Sequence, residues 1–132
     1  MVIVVKVGGS ILGEGVSPSM INDILKVASI EKLIIVHGGG KEVTEYANKL
    51  GKEQKFITSP GGFRSRFTDL DTIKIFTMVM TGVINKSIVV SLQKIGLSAI
   101  GLSGLDGNLI RAKRKKKLVI LDERKRKRII DG

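Results

Sequence analysis

Two short glycine-rich stretches hold the residues best suited to chemistry. Lys6-Val-Gly-Gly-Ser10 follows the apolar run Val2–Val5, and His37-Gly-Gly-Gly-Lys41 follows Leu33-Ile-Ile-Val36. Glycine lets backbone N–H groups approach an anionic oxygen, and a helix starting at such a turn adds the positive end of its dipole. Lys6 would project near the first turn as a mobile cation able to neutralise a transferring phosphoryl group. Taken singly, either turn could be a plain strand-to-helix connection; the pair together argues for a ligand site. Neither follows the P-loop pattern Gly-x-x-x-x-Gly-Lys-Ser/Thr or the dinucleotide-binding fingerprint.

The elements that must position these turns follow from the apolar spacing. Val2–Val7 is β-branched and apolar on both faces, which suits a buried parallel strand. Ser17-Pro18 offers an N-cap and a first-turn proline for a helix carrying Met20, Ile21, Ile24, Leu25 and Ala28. Leu33–Val36 is a second buried strand, and a helix from about Lys41 to Leu50 is closed by Gly51. With a right-handed crossover, this order predicts an α/β fold with a mostly parallel sheet sandwiched by helices. Ligands then bind at the carboxyl ends of the strands, where both turns lie.

Residues 52–67, with Ser59-Pro-Gly-Gly62, read as a hairpin or open loop. Thr68 is the expected cap of a helix bearing Leu70, Ile73, Phe76, Val79 and Met80, whose apolar residues span more than one face and suit a two-fold contact. Gly82 is expected to interrupt it, and a second helix carries Ile84, Ile88, Val89, Leu92 and Ile95 up to Gly96. Ala99–Leu102 reads as a third inner strand. Leu118–Leu121 and Ile129-Ile130, separated by Asp122-Glu123 and basic residues, predict a charged β-hairpin. No linker or repeat divides residues 1–132.

Composition removes several function classes. The 132 residues contain no cysteine and one histidine, which excludes a disulfide scaffold, a zinc finger, a thiol nucleophile and a histidine-rich metal centre. Aromatics are 4% of the chain, a poor supply for stacking nucleic-acid bases. No apolar run of about 18 residues is evident, so no membrane association and a cytoplasmic location are expected. The net charge of +11 is concentrated: residues 111–128 hold eleven Lys/Arg against Asp122 and Glu123, while the remainder carries twelve against ten acidic residues. Arg111, Lys113, Arg114, Lys115, Lys116, Lys117, Arg124, Lys125, Arg126, Lys127 and Arg128 therefore form either a solvated face or a patch that attracts nucleic acid, an anionic membrane surface or an acidic protein. Nucleic acid is the rival partner, disfavoured because no aromatics interleave the basic run.

Val5-Lys-Val-Gly-Gly-Ser10 followed by Ile35-Val-His-Gly-Gly-Gly40 resembles the amino acid kinase family, in its N-acetylglutamate kinase branch. Ser59-Pro-Gly-Gly-Phe-Arg-Ser-Arg-Phe-Thr-Asp69, Gly82-Val-Ile-Asn-Lys86 and Ala99-Ile-Gly-Leu-Ser-Gly-Leu-Asp-Gly107 narrow the resemblance. They look like the kinases of lysine and arginine biosynthesis that act on aminoadipate or glutamate tethered to an amino-group carrier protein. The resemblance covers essentially the whole chain. It implies ATP-dependent phosphorylation, with Mg2+, of a side-chain carboxylate whose amino group is blocked.

Carried over by motif, Lys6 matches the lysine that stabilises the transferring phosphoryl group. Gly8, Gly9 and Ser10 match the phosphate-contacting turn, and Gly39 and Gly40 the substrate-binding pair. Arg66 matches the arginine that holds the substrate α-carboxylate, a natural bidentate partner, with Arg64 as the alternative. His37 is expected to stabilise its turn rather than act as a base, since an ionised carboxylate acceptor needs none. Asp71 and Asp106 are expected to be capping or surface carboxylates, and no metal ligands are assigned. The family's second half, which binds ATP, has no counterpart in residues 1–132. The chain is therefore expected to be the substrate-binding and dimerising half of a homodimeric kinase, with the basic hairpin docking the acidic carrier. The alternatives are an N-acetylglutamate kinase acting on the free amino acid, and a non-catalytic basic module binding an acidic protein or nucleic acid.

Overall fold

The computed structural model describes residues 1–9 and 17–132. β1 (Val2–Val7) and β2 (Lys32–His37) pair in parallel, with Val2 opposite Lys32 and Val7 opposite His37. α1 (Pro18–Ala28) precedes β2; its N-cap Ser17 accepts from the Met20 N–H at 3.3 Å, as the sequence predicts. α2 (Gly40–Lys49) starts in the second glycine turn and runs out at Gly51, where φ is +73°.

β3 (Phe56–Thr58) and β4 (Arg64–Arg66) form a hairpin closed by the Gly62 N–H on the Ser59 carbonyl, 2.9 Å. β5 (Lys117–Leu121) and β6 (Lys127–Asp131) form a second hairpin, and the Thr58–Leu121 pair joins the two into one antiparallel sheet, β4-β3-β5-β6. Parallel pairing among the described residues is thus confined to β1 and β2, less than the mostly parallel sheet expected.

Ala99–Leu102 is not a paired strand. The Gly101 carbonyl accepts from Lys86 Nζ (3.1 Å) and the Leu102 carbonyl from Asn85 Nδ2 (3.4 Å). Side chains of the neighbouring helix take groups that a backbone ladder would otherwise use.

That helix is continuous. α3 (Leu70–Thr77) passes through a π-helical segment (Met78–Ile84) into α4 (Asn85–Lys94), so Gly82 does not interrupt it. A π turn widens the backbone while keeping it hydrogen-bonded, which accommodates the extra residue without a break. The cap is Asp69 rather than Thr68: Asp69 Oδ1 accepts from the Thr72 N–H (2.8 Å), while the Thr68 hydroxyl donates to the Arg66 carbonyl (3.2 Å). Leu70–Lys94 contains an 18-residue stretch of mean hydropathy 1.7 and is long and apolar enough to cross a membrane by length and composition, contrary to the sequence expectation that split it at Gly82. One side of it packs into the core, while Leu70, Ile73, Met78 and Val90 are exposed. Val79, Ile84, Ile88 and Leu92 are buried with Val7, Ile24 and Val43 in one cluster.

The core lies on one face of the β1–β2 pair. On the other face Val2, Val4, Ile34 and Val36 are 53, 62, 51 and 48% exposed. Strands that read as apolar on both sides are therefore covered on one.

Candidate phosphate and carboxylate site

The two glycine turns lie against each other at the carboxyl ends of β1 and β2. The Gly38 N–H donates to the Val7 carbonyl at 3.1 Å, extending the parallel pairing by one bond. A Cβ on Gly9 would stand 2.9 Å from Gly39 N, and one on Gly38 would stand 3.1 Å from Gly9 N. Only glycine permits this approach of two backbones. Gly39 is buried, and a Cβ there would overlap Ile84 Cδ1 and sit 3.0 Å from Met80 Sδ. Gly40 is exposed at the start of α2, which has no side-chain N-cap. The unbonded first-turn amides and the positive end of the dipole coincide there, a combination that favours an anion.

Lys6 pairs with Val36 one residue before Val7 and is exposed on the open face of the strand pair. Among the described residues it makes no ion pair, so its ammonium is available to a ligand. Ser10 lies outside the described residues. Glu42, in the first turn of α2, has both carboxylate oxygens buried with no hydrogen-bond partner among the described residues.

Of the two candidate arginines, Arg66 is the one brought to the turn. Its Nη2 donates to the Gly40 carbonyl (2.8 Å) and to Thr44 Oγ1 (2.9 Å), and its Nη1 donates to Gln54 Oε1. The guanidinium also lies over Phe56, 5.1 Å from the ring centre, and partial burial lowers its pKa. Arg64 shares that ring at 4.5 Å but is exposed, with no side-chain hydrogen bond among the described residues. Both hydrogens of Nη2 are engaged, and each planar fork of an arginine includes Nη2. A bidentate grip on a carboxylate therefore requires an exchange, whereas Nε–H and the second Nη1 hydrogen remain open. Gln54 and Thr44, which hold this arginine, carried no signal in the sequence because neither belongs to a glycine or charge pattern.

His37 is engaged at both ring nitrogens. Nδ1 lies 3.2 Å from the Gly38 carbonyl and Nε2 lies 3.3 Å from Asn85 Nδ2, so the ring works within the turn. Asp106 accepts from the Ser103 N–H (2.6 Å) and hydroxyl (2.7 Å), which lowers its pKa; Asp71 is a surface partner of Lys52 and Lys74.

The basic residues divide into three groups. Arg111 and Lys113–Lys116 lead into β5, Lys117 opens it, and Arg124–Arg128 form the turn and start of β6, all exposed. Asp122 builds the turn: Oδ1 accepts from the Arg124 and Arg126 N–H groups at 2.9 and 2.8 Å. Oδ2 lies 3.2 Å from Nε of both Arg126 and Arg128. This hairpin shares a sheet with β4, which carries Arg66. Three strand spacings separate β4 from β6, about 14–15 Å.

Paired glycine turns at the ends of parallel strands, a helix that starts there without a side-chain cap and an arginine braced on the turn thus stand together in an α/β unit. The chain matches the amino acid kinase family over residues 1–131, and it belongs to that family. It is 58% identical over 130 residues to a protein of Nitrosopumilus maritimus provisionally named LysW-aminoadipate/LysW-glutamate kinase, covering 98% of this chain and 48% of the relative. A provisionally named counterpart from Cenarchaeum symbiosum is 56% identical with the same coverage. The LysW-aminoadipate/LysW-glutamate kinase of Saccharolobus solfataricus is 47% identical, again over 98% of this chain and 48% of the relative. The chain thus spans about half the length of the curated relatives it matches.

Proposed function

We propose that residues 1–132 are the substrate-binding half of an ATP-dependent kinase that phosphorylates the side-chain carboxylate of aminoadipate or glutamate while it is attached to an acidic carrier protein. The observation that carries this reading is the contact between the two glycine turns with Arg66 braced on Gly40. A phosphoryl group and a carboxylate are both anions, and this arrangement supplies amides, a helix terminus and two cations to hold them.

ATP supplies the phosphoryl group, with Mg2+, and both are held mainly outside these residues. Within them, Lys6 and the amides of Gly8, Gly9 and Ser10 stabilise charge on the transferring group. Gly39, Gly40 and Arg66 place the acceptor. The ionised carboxylate attacks directly and needs no proton removed, which agrees with a His37 occupied inside the turn.

The basic hairpin is the docking surface for the carrier. Its place in the same sheet as Arg66 sets a short path from the docked carrier to the acceptor carboxylate. The exposed Leu70, Ile73 and Met78 of the long helix are the proposed two-fold contact of a homodimer. The open face of β1 and β2 is where the rest of the kinase packs, and a cytoplasmic location follows for such a biosynthetic enzyme.

The test is calorimetric titration of the chain with an acidic carrier bearing a terminal acylated glutamate or aminoadipate, and with free N-acetylglutamate. Saturable binding of the carrier-linked forms that weakens with salt supports the reading. Equal binding of free N-acetylglutamate makes it an N-acetylglutamate kinase. Preference for duplex DNA, with log K falling about 0.9 per log salt for each phosphate neutralised, makes it a basic binding module.

A further inference from the structure

Asn85 sits at the junction of three segments that the proposed reaction does not account for. It is the first residue of α4, where the π-helical segment ends. Its Nδ2 is 3.3 Å from His37 Nε2 and 3.4 Å from the Leu102 carbonyl. A Cβ on Gly101 would overlap Asn85 Oδ1, so a glycine at 101 is what lets that segment close over the amide.

The hydrogen-bond chemistry fixes each group in turn. The Leu102 carbonyl can only accept, so the amide must present its NH2 side to it. The same NH2 faces His37 Nε2, which must then accept through its lone pair. The ring proton is therefore on Nδ1, and Nδ1 lies 3.2 Å from the Gly38 carbonyl, its acceptor. On the other side of that residue, the Gly38 N–H is held by the Val7 carbonyl. Gly38 is thus clamped at both its N–H and its C=O, and the two glycines that follow leave from a fixed peptide.

We propose that Asn85 is a positioning residue: it holds His37 in the Nδ1–H tautomer and through it sets the Gly38–Gly40 turn that receives the acceptor carboxylate. Asn85 touches no substrate. The π-helical segment supports the same turn from below, since Met80 and Ile84 press on Gly39 and Asn85 follows them directly. The functional half of this inference rests on reading the turn as the acceptor site; the tautomer half does not.

The single histidine gives an unambiguous readout. In a nitrogen-15 imidazole spectrum in mildly alkaline solution, the folded chain should show a protonated Nδ1 and an unprotonated Nε2. A protonated Nε2 in the folded wild type overturns the proposal. Asn85→Ala should shift the ring toward Nε2–H and move the amide signals of Gly38, Gly39 and Gly40. Asn85→Asp, which keeps the volume but can only accept, should protonate Nε2. An Asn85→Asp spectrum unchanged from wild type overturns the proposal even if Asn85→Ala fails to fold. Binding of the carrier-linked acylated glutamate should weaken about fivefold in Asn85→Ala, the loss of one net hydrogen bond's worth of positioning. Unchanged binding in a folded variant overturns the positioning role. A wild type that holds the tautomer yet binds no acylated glutamate refutes the kinase reading and leaves the clamp standing.

Discussion

Removing Arg66 separates the two candidate arginines and tests the acceptor site directly. In Arg66→Ala the guanidinium leaves the Gly40 carbonyl, Thr44 Oγ1 and Gln54 Oε1, all at a partly exposed position. Water can replace these bonds, so the loss of stability is set at about 1–2 kcal/mol. The loss in binding is larger. One or two charge-assisted hydrogen bonds to a carboxylate are worth about 1.5–3 kcal/mol each, and partial exposure keeps the total near 2–3 kcal/mol. At 1.4 kcal/mol per decade this is a rise of roughly 30- to 150-fold in Kd. The assay is calorimetry with the carrier-linked acceptor, alongside urea unfolding to confirm a folded variant. Arg66→Lys should recover the charge over Phe56 but not the fork, and should fall between wild type and alanine. Arg64→Ala removes a ring contact at 4.5 Å and no side-chain hydrogen bond among the described residues, and should change Kd by less than about threefold. If Arg64→Ala weakens binding more than Arg66→Ala in folded proteins, Arg64 is the carboxylate arginine. If neither changes it, the acceptor does not sit at the Gly39–Gly40 turn.

In a kinase assay on protein carrying both halves, Lys6→Ala should lower kcat with little change in acceptor affinity, because Lys6 meets charge that develops in transfer; surviving turnover would remove that role. Gly39→Ala should destabilise the fold by about 1–3 kcal/mol through overlap with Ile84, and Ile84→Val should restore part of it in urea titrations; additive losses would show that the contact is not the cause. Lys52 first, and then the Thr72 amide, hold the Asp69 carboxyl well below its ordinary range, so its contribution is present above about pH 4 and is lost as pH falls toward the folded value. Asp69→Asn should therefore show a shallower fall in Tm below about pH 4 than wild type, and an equal slope would mean that the Lys52 pair is screened in solution. Charge reversal at Lys115 and Lys116 should slow association with the acidic carrier and flatten its salt dependence, as stopped-flow at two salt concentrations would show.

What the sequence made legible were features with a local cause. Ser17-Pro18 and Gly51 mark helix ends through capping chemistry that needs no tertiary context, and both stand where predicted. The glycine turns were legible because two occur at strand ends. The failures share one origin, which is competition settled by packing. Gly82 has the composition of a break, but Val79, Ile84 and Ile88 on either side are buried in one core, and a π turn keeps all of them there. Thr68 and Asp69 are both capping residues, and Lys52, seventeen positions away, tips the choice by pairing with Asp69 at 2.7 Å. Ala99–Leu102 has strand composition, yet Asn85 and Lys86 claim its carbonyls. No periodicity reports such long-range side-chain bonds.

The glycines also had to be read twice. Their composition suggested room for a ligand, and the structure shows a nearer reason, since the turns pack backbone to backbone with Gly39 sealed under Ile84. The two readings work together. On the proposed reading, a turn clamped by Val7, His37 and Ile84 is set before a ligand arrives, and preset dipoles cost no reorganisation when charge develops. Arg66 meets the opposite requirement. It reaches the turn from another sheet and holds it through exchangeable bonds, and the least costly to exchange is Thr44, whose hydroxyl already donates to the Gly40 carbonyl at 3.0 Å. On the proposed reading, a fixed turn and a releasable arginine give a site that is shaped in advance and opens a fork when a carboxylate displaces Thr44.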